Sequence, residues 1–289
     1  MTTAAALSRS ASTGAPAVHT SRLSFAGAVR SEWIKALSLR SIRWSIALSV
    51  LLGAVMTYGM GLALRALTGE DPAAGQDFLK AITSFPAGFL SLVFGVLGVF
   101  VFSSEYASGM ILSTLTAVPR RGLVMAAKAV VLTIIAATVA AVVLVAGAGI
   151  GVALIPESAA ELWTTATLTS LLGTGFFLVS VALFAFAVAG LLRSTAGAIT
   201  TVVAIVFVLP AMLQIVGSVS DWTWVQVVWN YLPTSLGSTL GMGFVQGGLP
   251  SADPAVHSPG YLEAMAALAA WVVLPTVAAA EAFLSRDAK

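Results

Sequence analysis

The sequence contains few charged residues for its length. Only 9% of its 289 residues are charged, whereas 58% are hydrophobic, and the mean hydropathy is +0.99. Soluble domains carry about 25% charged residues, because charge covers their surface. So few charges cannot solvate a chain of this length, and the composition therefore predicts an integral membrane protein.

Cysteine is absent, and histidine is nearly so. The lack of cysteine excludes disulfides, thiolate metal sites and cysteine nucleophiles. The two histidines, His19 and His257, lie in polar or Pro/Gly-containing stretches, so we expect no histidine-based metal site. Neither the G-x-x-x-x-G-K-[ST] phosphate loop nor H-E-x-x-H occurs. We therefore expect a non-catalytic chain that binds neither a cofactor nor nucleic acid.

Long apolar stretches predict an all-α polytopic fold, since a helical crossing needs about 20 apolar residues. Six stretches qualify: 45–64, 84–102, 129–155, 165–192, 198–216 and 261–284. Pro210 and Pro275 should kink the fifth and sixth helices, with neighbouring groups hydrogen-bonding the freed carbonyls. No span carries a charge in its middle, where ion-coupled transporters usually place one.

The basic residues are distributed unevenly between the two sides. With six spans both termini share a side, and of the fourteen lysines and arginines only Arg65 and Lys80 fall on the other side. Basic residues mark the cytoplasmic side. We therefore expect a multi-pass protein of the cell membrane with both termini in the cytoplasm.

Two segments precede the first span. Residues 1–22 are small, polar and without periodicity, which predicts a disordered cytoplasmic tail ahead of one permease-sized domain at 23–289. In 24–43, an apolar stripe recurs at helical spacing: Phe25, Val29, Trp33 and Leu37. The opposite side carries polar residues: Ser31, Glu32, Lys35 and Ser38. We expect an amphipathic helix at the cytoplasmic interface with basic residues near headgroups, or a simple anchoring or partner-binding helix.

The segment at 217–260 is rich first in Trp and Tyr and then in glycine. Irregular backbone at membrane depth is tolerated only where protein or a water-lined cavity covers it. We interpret this segment as a re-entrant or membrane-resting element, with a plain extracellular loop as the alternative. Glycines in the spans, such as Gly147 and Gly151, favour ordinary packing inside the bundle over a specific dimer contact.

The stretch FSSEYASGMILSTLTAVPRRGLVMAAK, residues 102–128, interrupts the apolar chain between the second and third spans. Glu105 stands at the inner interface, and Gly109 gives flexibility. The residues that follow are an apolar face, a helix-ending proline and a basic pair: Met110, Ile111, Leu115, Pro119, Arg120 and Arg121. These charges also fix topology, but a purely topological loop would not need two amphipathic turns.

At these residues the chain resembles the permease subunits of type-2 ATP-binding-cassette transporters, especially the small six-span bacterial exporters. That family shows a pattern like F-x-x-E-x-x-x-G-x-[IL]-x-x-[TL]-L…P-x-R…K after its second span. The pattern reads here as Phe102, Glu105, Gly109, Ile111, Leu115, Pro119, Arg121 and Lys128. E-W-x-K at 32–35 and the Leu232-Pro233-Thr234 stretch are also typical.

The resemblance implies a substrate pathway driven from outside the membrane. The first helix would be the connecting helix, and 103–120 the coupling helix that sits against a cytoplasmic ATPase subunit carrying ATP and Mg²⁺. Glu105 would contact basic residues of the ATPase or the connecting helix. Two permeases, as homodimer or heterodimer, would complete the pathway, and 217–260 would correspond to the re-entrant helices.

Two questions stay open from the sequence. The chain could instead be a non-transporting interaction, assembly or sensor subunit that uses its cytoplasmic helices for docking; an ion-coupled transporter is disfavoured by the uncharged spans. Glu105 either holds the fold of the connecting region or transmits force. We expect it to hold the fold, with the apolar face at 110–115 transmitting force.

Overall fold

The computed structural model describes residues 24–68, 77–107, 109–110, 121–220, 222–245 and 256–285. In these ranges all regular structure is helical, with no strand. Six helices are long and apolar enough to cross a membrane. The predicted all-α polytopic fold is confirmed, and the chain is a multi-pass membrane protein. The proposed tail at 1–22 lies outside the described residues.

The helices are named here in chain order. A first helix, α1 (Phe25–Ser38), precedes the spans. The spans are α2 (Arg40–Thr68), α3 (Phe78–Ala107), α4 (Arg121–Leu154), α5 (Thr165–Leu192), the pair α6 (Thr195–Val203) and α7 (Leu209–Val219), and α10 (Tyr261–Ser285). Two short helices, α8 (Thr223–Asn230) and α9 (Pro233–Gly241), lie between the last two spans. We call the end of the bundle that carries α1 the near end, and the opposite end the far end.

Most spans extend beyond their predicted limits. The second begins at Phe78 rather than 84, with Pro86 inside the helix, and the third begins at Arg121 rather than 129. Hydropathy marks only the lipid-buried part of a helix, whereas backbone hydrogen bonding continues through its polar ends. The third span therefore includes Lys128, about two turns after its first residue.

The centre of the bundle is the contact between α3 and α5, the two spans with the largest buried share. Their backbones approach closely at Gly98, where a Cβ would lie 2.0 Å from the carbonyl oxygen of Ala182. Phe94, Phe177 and Phe186 are fully buried around this contact. In contrast, most of α2, α6–α7 and α10 remains exposed at the surface that faces lipid.

The fifth span contains the predicted disturbance at Pro210. A π turn at Ala204–Val208 separates α6 from α7. An α-helical hydrogen bond to the carbonyl of Val206 would come from residue 210, which as proline has no N–H. The hydroxyl of Thr234 donates to that carbonyl instead, at 2.5 Å. A neighbouring segment therefore satisfies the freed carbonyl, as membrane helices require. In the last span, α10 stays helical through Pro275.

The short helices α8 and α9 form a hairpin that enters the bundle from the far end. Gly237 packs on the ring of Phe177, which lies about 18 Å along α5 from Thr165 at 1.5 Å per residue. Beyond α9, Gly243 approaches the carbonyl of Ala166 at the start of α5. The chain thus returns antiparallel to α5 from mid-bundle to the far end. Over 223–245 the re-entrant interpretation is confirmed, and the plain-loop alternative is wrong there.

Candidate functional site

Four charged side chains from three helices meet at the near end and form what we call the near-end charge cluster: Glu32, Lys35, Glu105 and Lys128. Lys128 Nζ donates to Glu32 Oε2 at 2.6 Å and to Glu105 Oε1 at 2.8 Å. Lys35 Nζ donates to Glu32 Oε1 at 2.8 Å and to Glu105 Oε1 at 3.1 Å. Each cation therefore bridges both carboxylates.

The helices place these side chains at one level of the bundle. Glu32 and Lys35 are three residues apart on α1, so both lie on one of its faces. Glu105 occupies the last turn of α3, and Lys128 lies in the second turn of α4. The hydroxyl of Ser24 caps α1 by accepting from the N–H of Gly27 at 3.1 Å. The cluster thus ties α1 to both helices that flank residues 108–120.

The orientation of α1 differs from the prediction. Glu32 was expected on the polar, outward side, but it is only 5% exposed and faces the bundle together with Ala36. The ammonium of Lys35 points at Glu32 and Glu105, so Glu105 contacts a basic residue of the first helix, as the resemblance implies. Phe25 and Leu37 of the apolar stripe are exposed, while Val29 and Trp33 are half-buried. Of the predicted polar side only Glu32 is buried, and ion pairing with Lys128, distant in sequence, compensates for the desolvation of its carboxylate.

The electrostatics of the cluster are balanced, with two carboxylates against two ammonium groups. Glu105 and Lys128 are 3% and 4% exposed, so either one without its partners would be a buried charge with a large desolvation cost. Burial lowers the pKa of Lys35, but its hydrogen bonds to Glu32 and Glu105 outweigh this and hold the pKa above its ordinary value of 10.5. Lys35 therefore remains a cation at physiological pH.

A second set of contacts at the near end reaches the remaining spans. The guanidinium of Arg193 lies 5.6 Å from the ring centre of Tyr106 and donates to the carbonyl of Ala282 at 3.2 Å. Arg121 donates to the carbonyl of Phe283 at 3.5 Å. Both arginines bind the last turn of α10, where the negative end of the helix dipole stabilises a cation. The ends of α3, α4, α5 and α10 are thereby joined beside the charge cluster.

Sequence reasoning missed part of this arrangement. Arg193 has a left-handed backbone, with φ of 52°, at a helix end where glycine is usual, and nothing in its sequence context indicates its contacts. Lys128 closes the recognised pattern but was not predicted as a site residue. A lone lysine in the apolar stretch MAAKAVV is nevertheless a signal, because such a charge needs a partner.

The predicted coupling segment at 103–120 divides into two parts. Residues 103–107 are the last turn of α3 rather than a separate helix, so this part of the prediction is wrong. The chain then turns at Gly109, whose φ of 70° favours glycine, and Met110 is 48% exposed. Ile111, Leu115, Pro119 and Arg120 lie outside the described residues.

A cavity of about 180 Å³ opens beside the cluster, between α1, α2, α3 and α4. The four cluster residues form its charged wall. Apolar and small polar side chains form the remainder: Ala36, Ser38, Leu39, Ile42, Val101, Ser104, Met110 and Val131. Met110, the last described residue before α4, lies on this wall.

The re-entrant hairpin is held against α10 and the residues before it by a separate polar network. The hydroxyl of Tyr231 donates to Glu263 Oε1, and Nε2 of His257 lies 2.8 Å from Glu263 Oε2. The indole N–H of Trp271 donates to the carbonyl of Tyr231 at 2.9 Å. Asn230 donates to the carbonyl of His257 at 3.0 Å. These contacts fix the corner between α8 and α9 to α10.

The described residues contain no group of three or more histidine, aspartate or glutamate side chains placed to hold a metal ion. No protein-family model matches the sequence, and a search of curated proteins finds no significant match. The features that bear on function are therefore the near-end charge cluster, the uncharged middles of the spans and the re-entrant hairpin.

Proposed function

We propose that this chain is the membrane-embedded permease subunit of an ATP-driven exporter and is coupled to a separate ATPase subunit. One observation carries the proposal: the near-end charge cluster joins α1 to the two helices that flank residues 108–120. A force applied to that segment by a partner would reach three helices at once. This is the arrangement expected where a soluble motor acts on a membrane bundle.

The residues of the chain indicate which steps would occur on the partner and which on this chain. ATP and Mg²⁺ would bind on the partner, since the sequence has no phosphate loop. Closure of the ATPase would displace residues 108–120, and α3 and α4 would carry the displacement into the bundle with α1 bound to them. Arg193 and Arg121 extend the connection to α5 and α10. Such a rigid-body change between two states would switch the access of the pathway.

The substrate pathway would form between this chain and a second permease copy, as homodimer or heterodimer. The mostly exposed spans α6–α7 and α10 offer the surface for such an arrangement. Both termini would lie in the cytoplasm of a cell membrane. The described charges support this orientation, because arginines and lysines are concentrated at the near end.

The second candidate is a non-transporting interaction or assembly subunit. A cluster whose four charges satisfy one another would also serve as a static base for docking, and the exposed Met110 beside it suits a docked partner. The two candidates differ in one consequence. A permease must change the hydrolysis rate of its ATPase when substrate is present, whereas a docking subunit has only to bind.

The test uses the full chain reconstituted with candidate phosphate-loop ATPases. Association and substrate-stimulated ATP hydrolysis are measured for the wild type, for Arg120→Ala with Arg121→Ala, and for Glu105→Gln. Glu281→Gln is the matched control, because Glu281 is an exposed near-end carboxylate on α10. Arginine is enriched among the interface residues whose loss costs more than about 1 kcal/mol, so we expect loss of the arginine pair to weaken association by about tenfold or more.

We expect Glu105→Gln to keep some association but to lose stimulation of hydrolysis, and Glu281→Gln to behave as wild type. Size-exclusion chromatography of each variant separates loss of coupling from loss of fold. Unchanged association and stimulation in both test variants would overturn the coupling assignment. Wild-type association without any stimulation across substrate classes would favour the docking subunit.

A further inference from the structure

The outer face of α2 carries two arginines and a tryptophan at its near end. Arg40, Arg43, Trp44 and Ala47 line a shallow groove on this face, which we call the arginine groove. Their spacing of three, four and seven residues places them on one stripe of the helix. Trp44 is 75% exposed, and both arginines are exposed as well. The groove is therefore open to the membrane interface.

The same stripe continues toward the far end as an aliphatic and aromatic surface. Its exposed members, at helical spacing below the groove, are Leu51, Val55, Tyr58 and Leu62. The order along the stripe is thus cation, then indole, then hydrocarbon. A phospholipid in a leaflet presents the matching order of phosphate, ester region and acyl chain, and tryptophan is enriched at the ester and headgroup level.

The charge at the groove is not balanced within its own helices. The only carboxylate of α1 and α2 is Glu32, and that side chain is buried against Lys128. Arg30 on α1 adds a further exposed cation. Residues 1–23 contain no aspartate or glutamate, so they offer no complementary charge. An exposed basic surface of this kind attracts an anion.

We propose that the arginine groove binds the headgroup of an anionic phospholipid from the leaflet at the near end, with an acyl chain lying along Leu51 and Val55. The planar guanidinium groups of Arg40 and Arg43 suit bidentate contacts with a phosphate. This site is distinct from the near-end charge cluster, and it goes beyond the transport function proposed above.

The site adjoins the junction between α1 and α2. Only Leu39, with an extended backbone, separates the two helices, so a lipid held by Arg40 and Arg43 lies directly beside the junction. The inner face of α1 is held by the near-end charge cluster. The lipid headgroup would then lie beside the other end of this contact, where α1 joins α2. Lipid composition is therefore expected to affect the stability of α1.

The test measures which lipids stay bound to the full chain after mild detergent extraction from vesicles of equal phosphatidylglycerol and phosphatidylcholine. Bound lipids are identified by mass spectrometry. We expect enrichment of phosphatidylglycerol for the wild type. Attraction of one arginine to an anionic surface corresponds to about a fivefold preference. The double variant Arg40→Gln with Arg43→Gln should therefore lose about thirtyfold, and each single variant about fivefold.

Two controls make the result specific. Arg65→Gln removes an exposed arginine at the other end of the same helix and should leave the enrichment unchanged. Arg40→Lys with Arg43→Lys keeps the charge and should retain most of it. Equal enrichment in the wild type and the double glutamine variant, or an equal loss in Arg65→Gln, would overturn the proposal.

A second copy of the chain is the competing occupant of this face. Because the sequence has no cysteine, Trp44→Cys provides a single thiol in the groove. Efficient disulfide formation between two copies in native membranes would place a second copy there and would overturn the lipid assignment. Cross-linking at background level, together with phosphatidylglycerol enrichment, supports it.

Discussion

Lys128 is the residue on which the near-end charge cluster depends most. It is 4% exposed and donates to carboxylates on two other helices. Among the described residues of α4, only Lys128 forms ion pairs with carboxylates of both α1 and α3. Since a buried cation has lost its hydration, the two carboxylates must replace it. The residue therefore links three helices through one ammonium group.

Lys128→Met should destabilise the protein strongly, because it removes the cation that the buried carboxylates of Glu32 and Glu105 share. Breaking a buried ion pair in this way costs about 3–5 kcal/mol. The free energy of unfolding, measured by SDS titration in mixed micelles, should fall by that order. Lys80→Met is the matched control: its partner Asp77 is 83% exposed at the far end, and such surface pairs contribute about 1 kcal/mol or less.

A double variant tests the charge balance itself. Lys128→Met with Glu105→Gln removes one charge of each sign and leaves Glu32 paired with Lys35. It should therefore be less destabilised than Lys128→Met alone. A double variant that is as unstable as the sum of the two single variants would contradict electrostatic coupling in the cluster.

The contribution of Lys35 should depend on pH only in the alkaline range. A lysine whose folded pKa is raised stabilises the fold fully below its unfolded pKa, and the stabilisation disappears as pH rises through the folded pKa. The difference in unfolding free energy between wild type and Lys35→Met should therefore be constant from pH 7 to pH 9. It should shrink above the ordinary pKa of 10.5. A difference that already falls between pH 7 and pH 9 would contradict this assignment.

At the scale of secondary-structure elements, the re-entrant hairpin depends on close backbone contacts. Gly173 of α5 lies against α9, where a Cβ would be 2.7 Å from the carbonyl oxygen of Leu240. Ser170 on the same helix donates to the carbonyl of Gly241. Small residues that allow close approach are typical of helix contacts in membranes. The hairpin can therefore stay close to α5 only while the α5 side chains that face it are small.

Gly173→Ala should displace α9, because the added methyl meets backbone that cannot move alone. Overpacking of this kind costs about 1–3 kcal/mol. Gly175→Ala, two residues along the same helix, meets only Leu144 at 3.5 Å and should be neutral or stabilising. Thermal unfolding in detergent compares the two variants. Equal melting temperatures for both would show that the hairpin does not pack against α5 as described.

At the scale of the whole molecule, the two ends differ in charge. The described near-end residues include Arg30, Arg40, Arg43 and Arg121, whereas the far end has Arg65 and Lys80 as its described basic residues. These residues are part of the uneven distribution of lysine and arginine along the full sequence. The orientation is therefore expected to place the near end in the cytoplasm.

Single-cysteine variants test this orientation cleanly, because the natural chain has none. Glu157→Cys is at an exposed far-end position and Arg30→Cys at an exposed near-end position. A membrane-impermeant thiol reagent should label the first from outside intact cells and the second only after permeabilisation. The opposite pattern would invert the topology and remove the basis for a cytoplasmic ATPase partner.

The sequence by itself determined the number of spans, their order and the separation of charge between the two ends. These properties follow from local hydropathy and from counting charges, and neither needs to know which helices touch. It also indicated the re-entrant element, because glycine-rich apolar sequence outside a span needs protein around it. Helix ends were predicted less well, since helical hydrogen bonding continues past the apolar core.

Only the tertiary structure decided which charges meet. Lys128 and Glu32 are 96 residues apart, and an isolated α1 would place Glu32 in water rather than against the bundle. Arg193 gives no local signal of its contact with Tyr106 or with the end of α10. The free energy that orients these side chains comes from partners on other helices, and a pattern along one helix does not contain them.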